Sequence, residues 1–163
     1  KGIEGYESAL EIDNINNQAR LTLANLYYQN QNYIQAEEAF IAVIQREPEF
    51  GPAYYSLALL LAELERTDEA IELLTKAIEK MPENIRVYYN LSLLYDKKQD
   101  HKNAEKTLIQ GLRIDTNNES ILYALAYHYL NFGNPEKAKN ILIRLVELYP
   151  NNPQYLSILQ TLN

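Results

Sequence analysis

Residues 51–84 read GPAYYSLALLLAELERTDEAIELLTKAIEKMPEN, and this stretch decides the fold. In its first half, apolar residues recur every three or four positions, as at Tyr54, Leu57 and Leu61. That spacing is the period of one face of an α-helix. A second stripe of the same period starts at Ala70, after the polar break ERTD. The stretch therefore predicts two consecutive helices joined by a short turn.

The same pattern recurs along the chain with a period of 34 residues. Alanine marks the period, at Ala36, Ala70, Ala104 and Ala138. The frames begin at Asn17, Gly51, Ile85 and Glu119. Other positions keep a residue class from frame to frame, with leucine at position 7 and a small residue at position 8. A fixed period of this size indicates a repeat protein, in which each repeat is one supersecondary unit.

Each frame is predicted to hold two helices. The first covers positions 1–14, and the second follows a break at positions 15 and 16. Asn32, Asp100 and Asn134 are suitable N-caps at this break, and Thr67 is expected to cap in the second frame. Pro135 then stands at the first helical position, which accepts proline. Small residues at positions 8 and 20 let the two helices approach closely, and neighbouring hairpins must stack to bury the rest of their apolar surface.

These positions together resemble the tetratricopeptide repeat. The shared pattern is an aromatic or apolar residue at 4, Leu at 7, a small residue at 8, Tyr at 11, Ala at 20, an apolar residue at 24, a small residue at 27 and Pro at 32. The resemblance covers the whole chain and implies an all-α fold, a right-handed solenoid of about ten helices. The departures from the motif are Arg20 at position 4, Gly111 and Leu145 at position 27, and Thr116 in place of proline.

We predict a single repeat domain. Its parts are a half repeat with the second helix only at 1–16, full repeats at 17–50, 51–84, 85–118 and 119–152, and a C-terminal capping helix at 153–163. The capping helix is expected to cover the last hairpin with Leu156, Leu159 and Leu162. The half repeat lacks its first helix, so Ile3, Tyr6 and Leu10 should be exposed. That predicts fraying or self-association at this end, and a parent protein that continues upstream.

The resemblance implies that positions 2, 5, 6, 9, 12 and 13 of the first helices line a concave groove. In the pairs Tyr54–Tyr55 and Tyr88–Tyr89, the first tyrosine should pack inward and the second should face the groove. Tyrosine and leucine there offer large, rigid contact area, and contiguous exposed apolar surface marks interaction sites. The candidate peptide-binding residues are Asn25, Tyr28, Tyr55, Leu59, Arg86, Tyr89, Asn90, Leu93, Tyr123 and Tyr127. The alternative is that the tyrosines only fill space between neighbouring helices.

Two binding modes of the family do not fit these residues. The carboxylate clamp for chaperone tails needs lysine at position 5 and arginine at position 6, and only Asn25 matches its slot. The asparagine ladder of O-linked N-acetylglucosamine transferase repeats needs asparagine along position 6, where only Asn90 fits. The remaining expectation is a groove for an amphipathic helix or an extended apolar segment, held mainly by burial.

Composition excludes several classes of function. The net charge of −7 with scattered basic residues argues against nucleic-acid binding, and the absence of cysteine excludes thiol chemistry. No apolar run approaches the ~20 residues of a membrane span. His101 and His128 are the only histidines, and without an acidic partner at metal-ligand spacing they are interpreted as solvated or locally bonded. We predict no catalytic, cofactor or metal site, and the sequence leaves the compartment open.

Three functions remain open at this stage. The leading one is a protein–protein interaction scaffold that binds a peptide or helix in the Tyr/Leu groove. The second is a regulatory or docking C-terminal domain of a larger bacterial enzyme, such as a glycosyltransferase, or of a multi-haem redox protein. The third is a structural spacer without a ligand of its own. Fold analogy does not choose among them, because function depends on a particular surface.

Overall fold

A computed structural model describes residue 5 and residues 17–162 of the chain. Within that part, the structure consists of nine α-helices joined by turns, with no β-strand. The helices are α1 Asn17–Gln29, α2 Tyr33–Arg46, α3 Gly51–Glu63, α4 Thr67–Lys80, α5 Ile85–Lys97, α6 His101–Ile114, α7 Glu119–Asn131, α8 Pro135–Leu148 and α9 Pro153–Thr161. The predicted exposure of Ile3, Tyr6 and Leu10 lies outside the described residues.

The helix bounds follow the 34-residue frame. In all four frames the first helix spans positions 1–13 and the second spans positions 17–30. The residue at position 15 ends the first helix, because its backbone is left-handed in every frame. These residues are Gln31, Glu65, Gln99 and Gly133, with φ of 61°, 60°, 61° and 79°. A left-handed residue just past the last turn is a common way to stop an α-helix.

The residue at position 16 is the N-cap of each second helix. The side chain of Asp100 accepts a hydrogen bond from the backbone N–H of Asn103, and that of Asn134 accepts one from Lys137, as the sequence predicts. Asn32 is also the N-cap residue of α2, but its side chain makes no capping hydrogen bond, contrary to the prediction. Pro135 is the first residue of α8.

The predicted cap at Thr67 is wrong. Because the left-handed residue Glu65 fixes the register, Arg66 is the N-cap of α4 and Thr67 is already helical. The Arg66 guanidinium binds both oxygens of Glu69 in the first turn, at 2.7 and 2.6 Å. It also reaches Glu37 on α2 at 2.7 Å. The first turn of α4 therefore has no side-chain cap, and the ion pairs of Arg66 link it to α2 instead.

The chain divides into two compact units, Lys1–Pro82 and Glu83–Asn163. In the first unit, α1 packs with α2, α3 packs with α4, and α2 stacks on α3. In the second unit, α5 packs with α6, α7 with α8, and α9 covers α8. The repeat alanines Ala36, Ala70, Ala104 and Ala138 are fully buried where paired helices meet. The bulky residues at position 24 are also buried beside them, namely Phe40, Leu74, Leu108 and Leu142.

The helix α9, predicted to cover the last hairpin with three leucines, contacts it with only two of them. Tyr155 is buried in the cluster with Leu122 and Leu142, whereas Leu156 is 47% exposed. Leu159 and Leu162 pack partly against the same cluster, as predicted. Tyr155, Leu159 and Leu162 form an i, i+4, i+7 stripe, which places Leu156 off the apolar face. The Tyr155 hydroxyl also donates a 2.6 Å hydrogen bond to Glu119 Oε1.

Candidate functional site

An apolar pocket of about 270 Å³ lies within the second unit, between α5 and α7. Its lining residues are Tyr89, Ser92, Leu93 and Asp96 from α5, Leu108 from α6, Tyr123, Ala124, Tyr127 and Asn131 from α7, and Phe132 just after α7. Four of the candidate residues meet here, at positions 5 and 9 of two consecutive frames. Positions 5 and 9 lie one helical turn apart on the same face, so each helix presents two of them.

The pocket residues keep much of their apolar surface in water. Tyr127 is 57% exposed, and Leu93 and Phe132 are 44% and 43% exposed. Tyr89 is half-buried, while its neighbour Tyr88 is buried in the core. The adjacent tyrosines therefore divide as the sequence predicts. One side chain packs in the fold, and the other faces the pocket.

Tyr123 both packs and lines the pocket. Its ring lies 5.6 Å from the ring of Tyr155, and its hydroxyl accepts a 2.9 Å hydrogen bond from Gln154 Nε2. These contacts with α9 hold the Tyr123 side chain in place. It therefore forms a fixed wall, and the more exposed Leu93 and Tyr127 are the side chains that a ligand would cover.

Asp96 forms the polar edge of the pocket and meets both histidines. His128 Nδ1 lies 2.9 Å from Asp96 Oδ1 and 3.1 Å from Oδ2, and His101 Nδ1 lies 3.3 Å from Oδ1. His128 is 3% exposed, and the ring of Phe132 stacks on His101 with centroids 3.4 Å apart. Among the described residues, these three side chains are the group whose chemistry and spacing could hold a metal ion.

The prediction that the two histidines lack an acidic partner is wrong, because Asp96 contacts both of them. Asp96 stands at position 12 of the third frame and His128 at position 10 of the fourth, 32 residues apart. Local spacing along one helix does not reveal such a contact. The available signal was the frame itself, because these positions fall near the end of two successive first helices.

Two of the candidate residues in the first unit, Tyr28 and Asn25, make hydrogen bonds within that unit. The hydroxyl of Tyr28 donates to Glu63, and Tyr33 donates to the other Glu63 oxygen at 2.8 Å. Burial and the Glu63 carboxylate raise the pKa of Tyr28 to about 12. Asn25 Nδ2 donates to the Leu21 carbonyl of its own helix at 2.9 Å. These two side chains thus contribute to the packing of their unit.

The other candidates do not line the pocket of the second unit. Tyr55 and Leu59 are half-buried on α3. Arg86 is exposed on the first turn of α5, where its backbone N–H donates to the cap residue Asn84. Asn90 is half-buried, one residue after Tyr89.

Several solved structures share this fold. One is a crystal structure of MamA, with 22% identity, a TM-score of 0.82 and coverage of 94% of this chain and 90% of that one. Another is YrrB, described as a TPR protein with an unusual peptide-binding site, with 21% identity, a TM-score of 0.76 and coverage of 96% and 80%. A third is TTC0263, a thermophilic TPR protein from Thermus thermophilus, with 20% identity, a TM-score of 0.73 and coverage of 98% and 88%. Identities this low establish the fold alone.

Sequence comparison with protein families gives the same assignment. One model described as tetratricopeptide repeat matches residues 21–85, and a second matches residues 61–121 and 99–162. No curated protein matches the chain in sequence. In the part of the chain that the structure describes, no helix is long and apolar enough to cross a membrane. The predicted fold class, an all-α solenoid of stacked helix pairs, is confirmed. Because the family matches extend over most of its length, the chain belongs to the tetratricopeptide repeat family.

Proposed function

We propose that the chain binds a peptide segment of a partner protein in the apolar pocket between α5 and α7. Tetratricopeptide repeat domains serve in general as protein–protein interaction scaffolds, and typically not as enzymes. The proposed role is accordingly binding without catalysis. The narrower proposal concerns where the partner binds and which part of it enters the pocket.

The exposed apolar side chains around the pocket carry this proposal. Leu93, Tyr127 and Phe132 expose about half of their surface next to one concave, mostly apolar cavity. Contiguous apolar surface of this kind usually marks an interaction site. Covering it is favourable at about 25 cal/mol per Å² of apolar area removed from water.

The size and charge of the site indicate the ligand. A cavity of about 270 Å³ falls below the ~300–1,000 Å³ typical of small-molecule sites. It suits one or two large apolar side chains, as an amphipathic helix or an extended segment would supply. The net charge of −7 favours a neutral or basic segment over an acidic one. YrrB is described as having a peptide-binding site, which supports this class of ligand for the fold.

A displayed library of short peptides would test the proposal. Peptides selected on the wild-type chain should be enriched in large apolar residues. Their affinity should fall at least about tenfold for the double variant Leu93→Ala, Tyr127→Ala, because two truncated hot-spot side chains each cost about 1 kcal/mol or more. Isothermal titration calorimetry with the selected peptides would measure this loss.

Ile34→Ala provides the matched control. Ile34 is 74% exposed on α2, in the first unit, so its truncation removes exposed apolar surface away from the pocket. Peptide affinity should not change in this variant. Selected peptides that bind the double variant as tightly as the wild type would refute the pocket as the binding site. A library that yields no binder at all would favour the structural spacer.

A further inference from the structure

Three metal-ligating side chains converge at the edge of the pocket from three different helices. Asp96 comes from the last turn of α5, His101 is the first residue of α6, and His128 comes from the last turn of α7. One ligand atom from each residue lies within 4.8 Å of the other two. Because the residues stand on short, well-packed helices, their backbones are fixed by the fold and not by the contact itself.

The distances suit a small transition-metal ion. Zinc binds histidine nitrogen at about 2.0–2.1 Å and carboxylate oxygen at about 2.0–2.2 Å, so the ligand atoms of a tetrahedral site lie about 3.3–3.5 Å apart. The separations from the Asp96 carboxylate are 2.9 Å to His128 Nδ1 and 3.3 Å to His101 Nδ1. Small side-chain rotations would lengthen the 2.9 Å separation of Asp96 and His128 to that range. They would also shorten the separation of the two imidazole nitrogens, which is at most 4.8 Å.

The surroundings hold the two imidazoles in place. The His101 ring stacks on Phe132 with a 28° angle between the planes. The His128 ring lies 5.0 Å from Phe132 and 5.8 Å, edge on, from Tyr129. Ligands whose orientation is set by packing lose little freedom when a metal binds. Asp96 and His101 are partly exposed, at 23% and 35% of their side chains, so an ion can enter from solvent.

A purely structural hydrogen bond explains only part of this arrangement. His128 is almost completely buried, and a polar group there needs a partner, which Asp96 supplies. His101 is partly exposed and has no such requirement, yet its Nδ1 also faces Asp96 Oδ1. Two imidazole nitrogens aimed at the same carboxylate oxygen place three potential ligands around one point.

We propose that Asp96, His101 and His128 form a binding site for one divalent transition-metal ion, with Zn²⁺ as the best match. Two imidazole nitrogens and one carboxylate oxygen are a ligand set that zinc accepts, and the fourth position would hold water. This site adjoins the peptide pocket and shares Asp96 with its lining, but the metal proposal does not depend on peptide binding. The site ties the ends of α5 and α7 to the start of α6.

Titration of the full chain with ZnCl₂ alone would test the site. Calorimetry should give one Zn²⁺ per chain, and Co²⁺ should develop the visible absorption of a tetrahedral complex. Asp96→Asn and His101→Phe should each weaken Zn²⁺ binding by more than about 100-fold, because loss of a direct ligand exceeds the 10–100-fold cost of losing an outer-shell partner. His101→Phe keeps an aromatic ring for the stack on Phe132.

Glu136→Gln is the matched control, since Glu136 is an exposed carboxylate in the same unit. It should bind Zn²⁺ like the wild type. Circular dichroism with EDTA present would establish that each variant is folded, and His101→Phe keeps the test informative if Asp96→Asn unfolds. Absence of stoichiometric Zn²⁺ binding by the wild type, or unchanged binding by a folded His101→Phe, would overturn the proposal.

Discussion

Tyr129 makes a hydrogen bond whose strength depends on pH. Its hydroxyl donates a 2.6 Å hydrogen bond to Glu105 Oε1, and Lys137 Nζ donates to the same oxygen at 2.9 Å. The Tyr129 bond and then the Lys137 bond lower the pKa of Glu105 below its ordinary value. A carboxylate whose pKa is lowered by folding stabilises the protein above its unfolded pKa of about 4.3. That contribution is lost as the pH falls through the lower pKa of the folded state.

Tyr129→Phe should therefore flatten the acid dependence of stability. At pH 7 the variant should lose about 1.5–3 kcal/mol of unfolding free energy, the range for a hydrogen bond to a charged group. Between pH 5 and pH 3 it should lose less further stability than the wild type, since part of the Glu105 effect is already gone. Urea unfolding at several pH values would measure both differences.

The matched control is Tyr149→Phe. The Tyr149 hydroxyl donates to the neutral carbonyl of Asn117 at 2.7 Å, so its loss should be independent of pH. If the two variants show the same change in stability with pH, Tyr129 does not act through the Glu105 carboxylate.

Single residues also show where prediction from the sequence stops. Repeating features were predictable, because four frames carry the same buried alanine at position 20 and the same buried leucine at position 7. The cluster of Asp96 with two histidines was not predictable, because it does not recur from frame to frame and its members come from three helices in two frames. Leu21 stands at position 5, where the groove was expected, yet it is 6% exposed. The frame predicts on which face of the helix a residue lies. It does not predict how much of that side chain the neighbouring residues leave exposed to solvent.

At the scale of the element, the left-handed residue at position 15 ends every first helix. Three frames place glutamine or glutamate there and one places Gly133. A residue with a Cβ costs roughly 1–2 kcal/mol in this conformation, whereas glycine adopts it freely. A Cβ at Gly133 would meet no atom within 4 Å, so only the backbone conformation matters.

Opposite substitutions at this position should have opposite effects. Gly133→Ala should destabilise the protein by about 1 kcal/mol, because alanine is strained in the left-handed conformation. Gln99→Gly should stabilise it by only about 0.5–1 kcal/mol, because the relief of strain is partly offset by the greater entropy that glycine gives the unfolded chain. Thermal and urea unfolding would measure the two changes. Destabilisation by Gln99→Gly would mean that the Gln99 side chain contributes more to α5 or α6 than its conformation costs.

Gly111 on α6 marks a close approach of helices. A Cβ there would lie 3.2 Å from Ile121 Cδ1 and 3.3 Å from Tyr88 Cβ, within the second unit. Gly111→Ala should change stability by less than about 1 kcal/mol, because alanine's higher helix propensity of about 1 kcal/mol offsets the tight contact. Gly111→Leu should cost more than about 2 kcal/mol, since its larger side chain cannot be accommodated. Equal stability of the two variants by urea unfolding would refute the close packing.

The helices themselves were the most predictable elements. Their bounds follow from one register, because the break at positions 15 and 16 recurs four times. The burial of Tyr155 on α9 also follows the frame, because Tyr155 stands at position 3, where Ala53, Val87 and Ile121 are fully buried. The hydrogen bond between Tyr155 and Glu119 is a specific contact that the period does not encode.

For the whole molecule, repeat construction predicts that destabilisation stays local. Repeats of this kind contact mainly their neighbours, so stability is close to a sum of local terms. Leu142 and Phe40 are both fully buried, one in each compact unit. Truncating either to alanine should cost about 2–5 kcal/mol in its own unit. Overall stability alone would not distinguish local from uniform weakening.

Hydrogen exchange followed by mass spectrometry makes that distinction. Leu142→Ala should accelerate exchange in α7, α8 and α9, with little change in α1 and α2, and Phe40→Ala should do the reverse. The two variants serve as controls for each other, because each leaves the other unit's core intact. Uniform acceleration along the chain in both variants would instead show a single cooperative unfolding unit. In that case the free energy of unfolding would belong to the whole chain, and no share of it could be assigned to a single repeat.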